Sequence, residues 1–251
     1  MHAIHEHIYD NLENRVSGTE PEARIVAEKR ATWKTPHHVF LLSAIMLCMH
    51  ALPLWAAESR YVAIVPALGV QAGGKTGVVH YVILQIDKDP LLGGPTVQFN
   101  EIHLGGGSIV SEDWKEGVKH AVTAAARAVG VDGRDWVITI KNRSYQASTE
   151  GMSASSAIAV GIMAAWRGDD VRSDVALTGT IMPNGQIESV GAIIIKIEAA
   201  ARAKFKTILV PHGQAETTDG EFYQLATRWN VRIIEVATLE EAYQLMTRPK
   251  H

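Results

Sequence analysis

The chain carries one cysteine, Cys48, in 251 residues, which excludes an intramolecular disulfide framework and any structural zinc site built on several thiolates. Histidines number 11, but they are scattered and no HExxH pair occurs, so a zinc enzyme is not expected. Positive charge is not in excess either. Lys and Arg total 24 against 27 Asp and Glu, a formal charge of −3, which argues against nucleic-acid binding through bulk charge. Internal repeats and low-complexity linkers are missing, which excludes a solenoid. What is present is ordinary for a globular chain, at 47% hydrophobic and 20% charged residues, and at roughly 100–200 residues per domain it makes one or two domains.

Residues 1–36 are polar and charged, with no hydrophobic face. From 39 to 57 run 19 residues without Lys, Arg, Asp or Glu, close to the roughly 20 that a helix needs to cross a bilayer core. Lys29, Arg30 and Lys34 precede the run, which puts that side in the cytoplasm by the positive-inside rule. Pro53 followed by Ala56 and Ala57 also resembles the end of a secretory signal, although the leading segment is long and no A-x-A precedes Glu58. Cys48 lies inside the run, a poor place for a lipid-modified first residue. The competing reading is a buried helix of a soluble fold. The expectation is a polar segment 1–36, an export signal or single membrane anchor at 37–57, and a domain 58–251 outside the cytoplasm.

Gly69, Gly74, Lys75 and Thr76 satisfy the phosphate-loop pattern G-x4-G-K-[ST]. Its chemistry needs a strand before the loop and a helix after it, whose first N–H groups hold the phosphates. Residues 61–65 supply the strand, but 77–86 are β-branched and aromatic and read as a second strand. The glycines then sit in a hairpin loop, and the motif is a decoy with no nucleotide site.

Further strands are expected at 95–104, 136–140, 175–181, 207–210 and 231–236. Val118, Val122, Ala125 and Val129 form one stripe of a helix that Ser111 can cap and Gly130 stops. A helix of small residues follows from Ser153 to Trp166, another covers about 192–204, and a turn lies at 183–185. Thr238 caps a final helix with Glu240 and Glu241 in its first turn. The sum is a mixed α/β domain.

Lys196 stands on the wrong face of its helix. Ala192, Ile193, Ala199, Ala200 and Ala203 surround it at helical spacing, whereas Glu198 and Arg202 pair on the opposite side. A lysine desolvated there loses basicity and can act as a general base at physiological pH; a lysine that snorkels along the alanines cannot be told apart by periodicity. Ser153, Ser155 and Ser156 lie at a loop-to-helix junction, where a serine is either a cap or a nucleophile beside unpaired N–H groups.

These segments resemble the proteolytic domain of the Lon proteases, in particular the archaeal membrane-associated type. Glu150-Gly151-Met152-Ser153-Ala154-Ser155 is similar to that family's nucleophile motif, and Asp174-Val175-Ala176-Leu177-Thr178-Gly179-Thr180 to its D-V-A-M-T-G strand. Gly185 to Ala192 followed by Lys196-Ile197-Glu198-Ala199-Ala200 resembles its catalytic-lysine segment. The likeness is strong over about 117–212 and loose over 60–247. It implies Ser153 as nucleophile, Lys196 as general base and Thr178 as a hydrogen-bonding residue that helps orient the lysine amine. Met152 stands where the family commonly has Pro or Asp, and Thr180 where many bacterial members have Glu; neither change removes a catalytic atom. About 60 residues precede the domain, too few for the ATPase that Lon enzymes normally carry. The resemblance therefore implies a serine endopeptidase that cleaves flexible polypeptides without ATP and needs no cofactor or metal. A homo-oligomeric ring is the family's assembly, and membrane attachment would run through 39–57. The alternative is an idle Lon-like domain that binds peptides or scaffolds an assembly.

Overall fold

Alternation of buried and exposed residues builds the core of the fold from an antiparallel hairpin. Strands β1 (Tyr61–Val70) and β2 (Gly77–Lys88) pair from Tyr61 with Ile86 to Val70 with Gly77. The computed structural model describes residues 61–71, 74–101, 109–144, 148–218 and 220–250, all in the second of two units, Met1–Leu54 and Trp55–His251. No helix among them is long and apolar enough to cross a membrane, and the 39–57 run lies outside them.

The elements that follow are β3 (Thr96–Phe99), β4 (Ile109–Val110), α1 (Glu112–Ala128), β5 (Trp136–Arg143), β6 (Ser148–Thr149) and α2 (Ser155–Arg167). Then come β7 (Asp170–Val171), β8 (Val175–Leu177), β9 (Thr180–Ile181), β10 (Ile187–Glu188) and α3 (Ile193–Arg202). The chain closes with β11 (Thr207–Pro211), α4 (Glu221–Trp229), β12 (Arg232–Val236), α5 (Leu239–Met246) and β13 (Thr247–Arg248). Seven strands form one mixed sheet in the order β12-β11-β8-β1-β2-β5-β3. The expected mixed α/β architecture is the one observed.

The period of two assigns the sheet's faces. Val65, Ala67, Val82, Leu84, Val175, Leu177 and Leu209 bury one face in a core shared with α1, α2 and α5. Leu68, Ala176, Ile208 and Val210 bury the other beneath α3 and α4. Ser111 caps α1 by accepting from the Trp114 N–H at 3.2 Å, and Thr238 and Glu241 form a reciprocal capping box on α5.

Three expectations are corrected. The strand expected over 175–181 breaks at Thr178 and Gly179. The Gly179 N–H donates to the Ser153 carbonyl at 3.0 Å and the Gly179 carbonyl accepts from the Ser156 N–H at 3.2 Å, so these groups serve the start of α2 rather than the sheet. The helix expected from Ser153 begins as a single tight turn, Met152–Ala154, and becomes α-helical at Ser155. Helix α4 was not anticipated, although Phe222, Leu225 and Trp229 carry its 3–4 spacing.

Candidate active site

Gly151 adopts φ 80° and ψ 158°, a region that only glycine enters readily, and turns the chain from β6 into the Met152–Ala154 turn. This turn separates the three serines. The Ser155 hydroxyl is buried and accepts from the Ile181 N–H at 2.9 Å. The Ser156 hydroxyl is buried without a hydrogen-bond partner among the described residues. Ser153, unlike the other two, lines open space, and it borders two cavities. Its carbonyl is pinned from below by the Gly179 N–H and by the fully buried Thr178 hydroxyl, which donates to it at 3.3 Å. The Thr178 N–H in turn donates to Leu209 on β11 at 3.2 Å. The threonine thus braces the backbone of Ser153, and its hydroxyl bonds there rather than to the lysine amine.

Lys196 projects from the first turn of α3. The helix starts at Ala192, whose φ of 54° is left-handed and costs a non-glycine residue about 1–2 kcal/mol. Lys196 is 4% exposed, which excludes the snorkelling reading. Among the described residues its amine makes no hydrogen bond or ion pair. Burial with nothing to offset it lowers its pKa from 10.5 to about 8. Ser153 and Lys196 line the same open cleft of about 430 Å³, together with Val70, Met152, Thr180 and Ala192. The position of α3 is set by Gly77 on β2: a Cβ there would stand 2.2 Å from the Ile195 carbonyl oxygen, so only glycine permits this approach.

The second cavity holds residues that the sequence reading missed. His80, on β2, is 3% exposed, and its Nδ1 lies 2.7 Å from Asn142 Oδ1 on β5. The Asn142 Nδ2 donates to Thr149 Oγ1 at 2.8 Å. A signal for both was present. His80 is in phase with the core residues Val82, Leu84 and Ile86, and Asn142 with Trp136, Ile138 and Ile140.

Lys75 and Thr76 of the phosphate-loop pattern lead into β2, so the expected hairpin is observed and a strand, not a helix, follows the loop. No cluster of three His, Cys, Asp or Glu side chains that would hold a metal occurs among the described residues. In chemical terms the cleft is lined by a partly exposed serine and by a lysine whose amine has lowered basicity, two groups that nucleophilic catalysis can use.

A family profile described as the Lon protease (S16) C-terminal proteolytic domain matches residues 117–246. Among individual proteins, the chain is 28% identical over 131 residues to an archaeal Lon protease of Pyrococcus abyssi, which covers 52% of this chain and 13% of that protein. It is 25% identical over 191 residues to an archaeal Lon protease of Archaeoglobus fulgidus, covering 76% of this chain and 29% of the relative. A Lon protease of Neorickettsia sennetsu is 36% identical over 95 residues, 38% of this chain and 11% of that one. The chain thus spans less than a third of the length of each of these relatives.

Proposed function

The chain belongs to the family of the Lon protease (S16) C-terminal proteolytic domain, and from that premise we propose that it is a serine endopeptidase acting on flexible or unfolded polypeptides. The observation that supports it most is the unpaired, buried Lys196 amine in one cleft with Ser153. In the proposed reaction Lys196 takes the Ser153 hydroxyl proton as Oγ bonds to the peptide carbonyl carbon. It passes that proton to the leaving amine as the C–N bond breaks, and an acyl-enzyme remains. Thr178 and Gly179 hold the serine backbone during this step.

Cleavage is proposed to proceed without ATP, in keeping with the hairpin that the phosphate-loop pattern occupies. Export or anchoring through 39–57, with 58–251 outside the cytoplasm, belongs to the same proposal.

The test is hydrolysis of unfolded casein by the full chain, with and without ATP, beside Ser153→Ala and Lys196→Ala. Both variants should lose activity by on the order of 10³-fold or more while remaining folded. With wild type, kcat/KM should climb about tenfold per pH unit below about 8 and level off above it, because the neutral amine is the active form. Comparable turnover by Lys196→Ala would sink the general-base role. Failure of Ser153 to react with an acylating inhibitor would favour a binding role instead.

A further inference from the structure

A second cavity beside Ser153 differs in size and chemistry from the cleft that holds Lys196. It leaves about 20 Å³, and roughly 10–15 Å³ suffices for one water molecule, so it is too small for a substrate side chain. Its wall joins Ser153 to His80, Ser144, Thr149 and Glu150. The His80 ring is held in one orientation. Because the Asn142 amide nitrogen is spent on Thr149, its oxygen accepts the Nδ1–H, and the neutral ring presents Nε2 as a lone pair. That edge lies against Gly69, where a Cβ would stand 3.5 Å from Nε2. Among the described residues Nε2 makes no hydrogen bond.

We infer that this cavity holds the water that hydrolyses the acyl-enzyme, with His80 Nε2 orienting it and taking its proton. The inference rests on the reading of Ser153 as nucleophile. The water oxygen bonds to the acyl carbon while one water proton passes to Nε2. The bond between that carbon and Ser153 Oγ then breaks, Oγ recovers the proton from the imidazolium, and the carboxylic acid leaves. Burial holds the imidazole pKa below its ordinary value; the Asn142 hydrogen bond opposes this and the charge of Lys196 adds to it, so the ring stays neutral and able to accept. The two bases divide the work: Lys196 serves acylation from the cleft, and His80 serves deacylation from the smaller cavity. Glu150 borders the cavity as well, but it is exposed.

The experiment compares wild type, His80→Gln and His80→Ala as full chains on a p-nitrophenyl ester of a blocked apolar amino acid. Expected in both variants is a burst of one equivalent at the wild-type rate, then steady turnover lower by about 100-fold, the low end for loss of a general base. Intact-mass measurement should show the acyl group accumulating on Ser153. Unchanged turnover in both variants overturns the inference. So does loss of the burst itself in both, which would place His80 in folding or in the first half-reaction. The same accumulation in Glu150→Gln overturns it in favour of the carboxylate. A wild-type enzyme that never forms an adduct on Ser153 overturns the nucleophile reading and this inference together, and is distinguished by that absence.

Discussion

On the face of the sheet covered by α1, α2 and α5, the core row Ile86, Leu84, Val82 ends in His80, whose ring is tied to Asn142. On the face covered by α3 and α4, Ile193, Ile197 and Ala200 line the buried side of α3, and Lys196 from the same helix has no hydrogen-bond or ion-pair partner among the described residues. The two residues are buried to nearly the same degree, at 3% and 4% exposure. Their consequences differ. The histidine can be buried neutral and hydrogen-bonded at little cost, so it is held in orientation. The lysine must either give up its proton or carry an unpaired charge, so burial is expressed as lowered basicity. Burial by itself does not define a role; the partners supplied along with it do.

The lysine side carries the largest expected stability effect. A lysine whose folded-state pKa lies below its unfolded value costs stability in full below the folded value, and the cost fades as pH rises to the unfolded value. For Lys196 that window runs from about 8 to 10.5. At roughly 1.4 kcal/mol per pH unit the cost is about 3 kcal/mol below pH 8. Lys196→Met should therefore be more stable than wild type by up to about 3 kcal/mol near pH 7, with the gain gone by pH 10.5. Urea denaturation at several pH values measures it, and a loss of stability at pH 7 would show that the amine has a partner.

Gly77→Ala attacks the same side through the backbone. The new Cβ meets the Ile195 carbonyl, which cannot rotate away, so α3 must shift. Overpacking of this kind costs roughly 1–3 kcal/mol, and a displacement of about 1 Å in a catalytic group costs on the order of 100-fold in rate. Denaturation and kcat/KM together report it, and activity retained at reduced stability would uncouple β2 from the placement of the lysine.

Ser156→Ala should do least. Its hydroxyl is buried with no partner among the described residues, so removal deletes an uncompensated polar group and should change stability by no more than about 0.5 kcal/mol, in the stabilising direction. A large loss in a thermal melt would reveal a bond to this hydroxyl.

Much of the fold was legible because its signals are local. The hairpin, the cap at Ser111 and the inward face of α3 each rest on spacings of a few residues, and the structure reproduces them. The break at Thr178 and Gly179 was not legible, because apolar residues on both sides read as one strand while the decisive hydrogen bonds go to Ser153 and Ser156. His80 and Asn142 carried a readable sign, polar residues in phase with a core face, but the link between them spans 62 positions.

By itself, then, the sequence determined the period of each element and hence that Lys196 turns inward, since a helix repeats its faces every few residues whatever surrounds it. The resemblance pointed to Ser153, but only the tertiary structure shows that it, and neither Ser155 nor Ser156, lines a cleft with that lysine. It also decided that the lysine has no hydrogen-bond or ion-pair partner among the described residues and that a buried histidine borders a second cavity beside the serine, because the partners of a buried group come from strands and helices far along the chain.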